Sequence, residues 1–328
     1  MILTSFQRES MEEATIPDAT SRGIGFIHRT SSMNAEKVEK EPLVYVIVLN
    51  YNNLKDTIET LESLKNLDYE NLRIIVVDNG SEKWIVEEIK KRFRFEVIEN
   101  QKNLGYAGGN NVGINKALSD GAEFVFVLNN DVIVERDALK KMVREIRRVK
   151  ESAACQPLVK YYDKDAIWSA GTKIFLGYPK LYLKEKKEAK GVFEPPFGLA
   201  GCAILFRAEA LRDVGLLNEK LFLMHEETEW CIRAKKRGYR FLVVANAIVY
   251  HKVSATLGFL SEKYLYYVSR NWLIVARKLG RLFFVYSVIT EFLVRLPYYF
   301  LLLLRRKKPR LIRHYLKGVL DGLCGRVS

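Results

Sequence analysis

Residues 124–131 read Phe-Val-Phe-Val-Leu-Asn-Asn-Asp, and the reading of this stretch decides the fold. Five apolar residues in succession, rich in Val and Phe, describe a strand buried on both faces. The run ends at Asn129-Asn130-Asp131, which puts a carboxylate at the end of a parallel strand. In open α/β sheets that end is where ligands bind. A hard oxygen ligand there suits Mg²⁺ or Mn²⁺ carrying a diphosphate. The same Asp131 also suits a turn before a helix over 135–149, so this stretch alone leaves both readings open.

Upstream, Val44-Tyr45-Val46-Ile47-Val48-Leu49 is a second buried strand, followed by Asn50-Tyr51-Asn52-Asn53. Ile58, Leu61 and Leu64 then recur at helical spacing across 54–66. Arg73-Ile74-Ile75-Val76-Val77-Asp78 is a third strand ending in an acid, with a turn at Asn79-Gly80-Ser81, a helix over 82–93 and a short strand over 96–99. Strands alternating with helices imply a parallel sheet with right-handed crossovers. No glycine follows the first strand, which excludes GxGxxG, and no GxxxxGK[ST] occurs, so dehydrogenase and P-loop readings fall. Asn100-Gln101-Lys102-Asn103-Leu104-Gly105-Tyr106-Ala107-Gly108-Gly109-Asn110-Asn111 is a loop entering a helix. Its glycines permit close backbone approach, and its amides suit a base or ribose edge. A plain turn has the same composition.

These pieces together resemble the nucleotide-sugar half of the glycosyltransferase family 2 enzymes. They are the Val-Leu-Asn-Tyr-Asn opening (Asn50, Tyr51, Asn52), Val-Val-Asp-Asn-Gly-Ser (Asp78, Asn79), Asn-Leu-Gly-Tyr-Ala-Gly-Gly-Asn-Asn (Asn103, Gly105, Gly109, Asn110) and Leu-Asn-Asn-Asp (Asn129, Asn130, Asp131). The resemblance implies a GT-A fold, a single α/β domain over 41–262 with a mostly parallel sheet, binding a nucleotide-diphosphate sugar through those residues. The family binds a divalent cation, Mg or Mn, through Asp-x-Asp. Here Asn129 replaces the first acid, as in the rhamnosyltransferase-like branch, leaving Asp131 as the implied ligand.

The second half carries the implied acceptor chemistry. Trp168-Ser169-Ala170-Gly171 suggests a strand, and the basic segment 180–190 a surface loop. Phe197-Gly198-Leu199-Ala200-Gly201-Cys202 resembles the family's small-residue turn beneath the acceptor, and a Gly-bent core strand is equally compatible. Met224-His225-Glu226-Glu227-Thr228-Glu229 is a near miss for HExxH, with Glu229 where a second His belongs. Three acids there also favour a helix N-terminus. In the family the matching run supplies the base that deprotonates the acceptor hydroxyl, which falls on Glu227, with Glu226 as the neighbouring candidate. The family also places a His on the metal after a late strand, here His251. Lys252 and Arg270 are candidates to meet phosphate charge.

The composition agrees. A formal net charge of +14 over 328 residues calls for an anionic partner. The four scattered cysteines suit reduced thiols in a cytosolic setting and no zinc site. No nucleic-acid motif is present. Residues 1–40 are polar and aperiodic, which describes a disordered tail without a signal-peptide core. From 263 onward the chain changes character. Residues 282–304 are apolar but interrupted by Glu291, Arg295 and Pro297, and seven Lys or Arg follow between Arg305 and Lys317. A spanning helix needs about 20 apolar residues. The interruptions therefore point to helices lying peripherally on the anionic cytoplasmic face of the membrane; a helical hairpin packed on the catalytic domain is the alternative. Ser269-Arg270-Asn271-Trp272 lacks the Gln of the processive enzymes' Gln-x-x-Arg-Trp. The whole reading is an inverting, metal-dependent transfer of one sugar, first rhamnose from dTDP-rhamnose, from a UDP- or dTDP-sugar to a hydroxyl of a glycan or lipid-linked glycan. A catalytically weak nucleotide-sugar-binding protein is the alternative.

Overall fold

The computed structural model describes residues 40–182, 191–253 and 260–327. The expected tail (save Lys40), residues 183–190 of the basic segment, and Ser254 and Ala255 lie outside them. Residues Glu41–Ser328 form one compact unit.

The strands are β1 (Val44–Asn50), β2 (Leu72–Asp78), β3 (Glu96–Glu99), β4 (Phe124–Asn129), β5 (Val132–Val134), β6 (Ser152–Tyr161), β7 (Ile167–Ser169), β8 (Thr172–Phe175), β9 (Tyr178–Leu181), β10 (Val192–Phe193), β11 (Ala203–Arg207) and β12 (Arg240–His251). The helices are α1 (Leu54–Lys65), α2 (Lys83–Arg92), α3 (Gly105–Ser119), α4 (Ala138–Arg148), α5 (Ala208–Val214), α6 (Glu226–Lys236), α7 (Glu262–Ala276), α8 (Arg281–Thr290), α9 (Leu296–Arg305) and α10 (Ile312–Cys324).

One sheet runs in the order β10-β12-β6-β11-β4-β1-β2-β3. Its nucleus β4-β1-β2-β3 is parallel, β6 and β12 are parallel to each other, and antiparallel β11 joins the two groups. The expected parallel nucleus is therefore present, within a mixed sheet. Strand β4 is buried on both faces. Phe124, Phe126 and Leu128 enter the core beneath α1 and α4, whereas Val125 and Val127 enter the core beneath α3, α5 and α6. Because the side-chain period is two, that alternation fixes the register and brings Asn50, Asp78 and Asn129 to one edge. Asn50 pairs with Asp78, and Leu49 with Asn129.

The C-terminal helices pack a further core around Leu265, Val268, Leu273, Tyr299, Leu303, Tyr315 and Val319. The 262/263 boundary expected from sequence falls at the start of α7, inside the compact unit. One expectation is corrected here. Glu291, Arg295 and Pro297 do not split the apolar stretch; α8 and α9 join through a π turn, Glu291–Arg295, into a continuous 25-residue helix, Arg281–Arg305. Pro297 has no N–H for the carbonyl four residues back, and the widened turn just before it accommodates that loss. Glu291 and Arg295 pair with each other, and both are turned inward together with Ser287, Tyr299 and Leu303. By length and composition this helix could cross a membrane.

Candidate active site

At the sheet edge, the amides chosen from the sequence hold one another. Asn50 Nδ2 donates to Asp78 Oδ1 (2.8 Å) and its Oδ1 accepts from Thr57 (2.8 Å), while Asp78 Oδ2 accepts the Ser81 N–H (2.9 Å). Asn79 Nδ2 donates to Asn103 Oδ1 and the Gly105 carbonyl, and its Oδ1 accepts from Asn100 Nδ2 and the Leu104 N–H. Asn103 Oδ1 also accepts the Gly105 N–H. Asn130 donates to Thr57, and Asn110 donates to the Tyr106 carbonyl. Two of the glycines are required by packing. A Cβ on Gly109 would sit 2.5 Å from Leu49 Cδ1, and one on Gly105, at φ +77°, would sit 2.3 Å from the Phe222 carbonyl oxygen. Tyr51 and Asn52 are the exposed members of the set, and Asn129 is half-buried.

Asp131 and His251 meet because β5 pairs antiparallel with the end of β12, placing Val132 opposite His251. Their Oδ1 and Nε2 lie 3.1 Å apart, and both side chains are buried. Two cis ligands about 2.1 Å from an octahedral ion are separated by about 3.0 Å, so the pair has the spacing for a shared Mg²⁺ or Mn²⁺. Among the described residues no cluster of three His, Cys, Asp or Glu could hold a metal. A two-ligand site leaves positions for diphosphate oxygens and water, the usual arrangement for a hard, reluctantly dehydrated cation.

The first two acids of α6 share a neighbourhood with this pair, since Tyr106 feels Glu226, Glu227 and Asp131 together. Glu227 is half-buried, with its Cδ and Oε2 3.5 Å from where a Gly201 Cβ would stand, so the carboxylate lies within van der Waals reach of position 201. Its Oε1 accepts from Thr228 (2.9 Å). Glu226 is buried, and its Oε2 has no hydrogen-bond partner among the described residues. Burial raises both carboxyls above their ordinary range, Glu226 the further because it also faces Glu227. Tyr106, whose hydroxyl donates to the Gly201 carbonyl, is raised by burial and then by Glu226, Glu227 and Asp131. The Cys202 thiol is raised by burial and then by Asp131. Negative charge thus converges on one buried region, which suits a cation beside it. Glu227 is the better placed of the two acids to meet an acceptor, because Glu226 is closed off from solvent.

Two cations chosen from sequence are placed elsewhere. Arg270 is wholly buried, and its Nη2 donates to the Lys220 and Leu221 carbonyls (3.1 and 3.2 Å). A buried guanidinium needs such acceptors, and meeting them turns it toward the turn before α6, not toward the sheet edge. Lys252 bonds Asp56 and Glu59 of α1. Sequence reasoning passed over Tyr106, Tyr178 and Asn271. Only Tyr106, one helical turn before Asn110 in the quoted loop, carried a signal.

The model of glycosyl transferase family 2 matches residues 45–215, just over half of the chain. The chain belongs to glycosyl transferase family 2. Among its relatives is the dTDP-rhamnosyl transferase RfbF of Shigella flexneri, 23% identical over 225 residues, covering 64% of this chain and 69% of that protein. Another is the poly-beta-1,6-N-acetyl-D-glucosamine synthase of Staphylococcus aureus (strain COL), 25% identical over 237 residues, covering 71% of this chain and 54% of the synthase. The crystal structure of GalNAc-T7 with UDP, GalNAc and Mn²⁺ shares the fold, with a TM-score of 0.59 at 16% identity over 72% of this chain and 48% of that one. This family 2 chain thus spans about half the length of the synthase and of GalNAc-T7.

Proposed function

We propose that this family 2 protein is an inverting, metal-dependent glycosyltransferase that moves one sugar from a UDP- or dTDP-sugar to a hydroxyl of a glycan or lipid-linked glycan. The observation that carries the reading is Glu227, half-buried against Gly201 and sharing one negative region with the Asp131–His251 pair. Glu227 takes the proton of the acceptor hydroxyl. The hydroxyl oxygen bonds to the anomeric carbon from the side opposite the diphosphate, and the bond from that carbon to the diphosphate oxygen breaks. Asp131 and His251 would hold the divalent cation, which when bound offsets the charge of the departing diphosphate. A raised carboxyl pKa makes Glu227 a stronger base than an ordinary Glu. The 23% identity to a dTDP-rhamnosyl transferase makes dTDP-rhamnose the first donor to try. The run Ser269-Arg270-Asn271-Trp272 lacks the processive enzymes' Gln, which supports single transfer.

The acceptor side works at a membrane in this reading. Leu282, Val285, Ile289, Leu293, Leu301 and Leu304 are exposed along the face of Arg281–Arg305 opposite its buried one, and a basic cluster follows directly. An apolar face beside cations suits peripheral docking on an anionic cytoplasmic leaflet. Flotation on liposomes should require anionic lipid and weaken in high salt; indifference to both removes this part.

The donor test is release of nucleotide from a panel of UDP- and dTDP-sugars with Mn²⁺ or Mg²⁺. Transfer that depends on metal and on Glu227 supports the reading. Nucleotide binding without turnover across the panel favours a sugar-nucleotide-binding protein.

A further inference from the structure

The turn that leads into the two acids holds a conformation its residues disfavour. Phe222, Met224 and His225 have φ of 61°, 71° and 72°, in the left-handed region that a Cβ penalises. Three such residues within four positions persist only where the surroundings over-determine them. Here the surroundings are visible. Asn271 Nδ2 donates to the carbonyls of Leu221 (2.8 Å), Leu223 (2.6 Å) and Met224 (2.9 Å), so its two hydrogens serve three acceptors. Arg270 Nε fixes that amide by donating to Asn271 Oδ1 (2.8 Å). From the other side, the Phe222 carbonyl accepts the Tyr106 N–H (2.6 Å).

His225 closes the turn. Its Nε2 lies 3.0 Å from the Tyr178 hydroxyl, and the Arg295 guanidinium sits 3.7 Å over the Tyr178 ring. Burial and then Arg295 push the His225 imidazole down to about 3, so the ring is neutral, and its Nε2 shares a hydrogen bond with the Tyr178 hydroxyl. The His225 carbonyl accepts the Glu229 N–H (2.8 Å) and starts α6. The direction in which α6 presents Glu226 and Glu227 therefore follows from this turn.

We propose that Asn271 and His225 are positioning residues for the acceptor base, holding residues 222–225 in their left-handed form so that Glu227 lies against Gly201. This rests on the reading of Glu227 as the base. Through Tyr178 and Arg295, the helix Arg281–Arg305 belongs to the same clamp.

The test compares Y178F, H225N and N271D with E227Q in the full chain. Y178F removes one hydroxyl and keeps the ring under Arg295. H225N keeps a residue type that tolerates positive φ but cannot reach Tyr178. N271D keeps the shape and loses the donors. Y178F and H225N are expected to lower kcat for transfer by roughly 10- to 100-fold, the effect of displacing a reacting group, with N271D lower still. Affinity for UDP or dTDP with Mn²⁺, measured by calorimetry, should stay unchanged in Y178F and H225N. Parent kcat in both Y178F and H225N overturns the proposal, and loss of transfer in E227Q then leaves the base reading intact. If E227Q itself transfers normally, the base reading fails. Crystal structures of Y178F and H225N then decide on positioning alone: a Glu227 carboxylate moved off Gly201 supports it, and an unmoved one overturns it.

Discussion

The sheet edge proposed for the donor and the α6 acids proposed for the acceptor use polar groups in different ways. At the donor edge, Asn79 has both ends of its amide engaged by four groups, and Asn50 and Asp78 satisfy each other. At the start of α6, Glu226 has an oxygen unpartnered among the described residues, and both carboxyls are raised by burial. The first region is a frame whose side chains tie its loops together, with Tyr51 and Asn52 exposed and, among the described residues, the buried Asn110 Oδ1 unpartnered. In the second, buried acids gather, and on the proposed reading a cation at Asp131 would offset their charge and an acceptor hydroxyl would meet Glu227. A frame resists substitution through stability. A site of gathered acids resists it through chemistry.

Substitutions at the chemical centre should therefore have the largest effects on rate and small ones on fold. Asp131→Ala should abolish transfer and Mn²⁺-dependent binding of UDP or dTDP, read by calorimetry, while the protein still unfolds cooperatively. Full transfer by Asp131→Ala in the presence of a chelator removes the metal from the mechanism.

Glu227→Gln keeps size and hydrogen bonding but cannot take a proton. Transfer should fall about 10²–10⁴-fold, the usual contribution of a general base, with donor affinity retained. Glu226→Gln should fall far less, and a neutral amide there removes a carboxyl that burial opposes, so thermal stability at neutral pH should hold or rise. If only Glu226→Gln loses transfer, the base lies one residue earlier.

Asn79→Ala tests the frame. It removes bonds that tie Asn100, Asn103, Leu104 and Gly105 to the end of β2. At about 0.5–1.5 kcal/mol for each of the four hydrogen bonds lost, the expected destabilisation is roughly 2–6 kcal/mol, read from urea midpoints. Donor affinity should fall with it. A variant with parent stability and weakened donor binding would mean that Asn79 meets the nucleotide directly and that the two regions are less different than their bonding suggests.

How much of this was legible depended on the range of the signal. Buried runs such as 124–128 and 73–77 are local and dense, so β4, β2 and the acids that end them could be read directly. Asp131 and His251 came from resemblance, since their meeting depends on β5 pairing with β12, 120 residues apart in sequence. The bend of residues 197–202 resolved into a turn before a shorter strand, β11. The late strand expected before His251 is β12, which carries a bulge between Val244 and Ile248 and includes His251 as its last residue. Arg270 could not be placed from sequence, because nothing local distinguishes an arginine bound to carbonyls from one awaiting phosphate. The inward pairing of Glu291 with Arg295 has the spacing of one helical turn, and Tyr315, which donates to Glu291, comes from α10. Cutting the chain after Lys278 would uncover Leu265, Val268 and Leu273, so point substitutions in the exposed face are the cleaner probe of membrane docking.

The smallest effect sharpens the comparison through pH. His225 is 8% exposed and titrates near 3 in the fold against an ordinary 6.5. A depressed value means that the unfolded chain binds a proton the folded one refuses. Its contribution to stability is therefore whole above about pH 6.5 and is lost as pH falls toward 3, at about 1.4 kcal/mol per pH unit. Glu226 and Glu227 act the other way, because carboxyls raised in the fold take up protons before the unfolded chain does. The groups around the ring, Tyr178, Trp272 and Arg295, keep their charge state across this range. The parent's acid profile is thus a sum of opposing slopes, and Asn at 225 removes one of them. Between pH 6.5 and pH 5, H225N should lose about 2 kcal/mol less than the parent, measured as the difference between their urea-unfolding free energies at each pH. Parallel profiles would show that His225 is not held neutral by the fold, and the contrast between the sheet edge and the start of α6 would then rest on the glutamates alone.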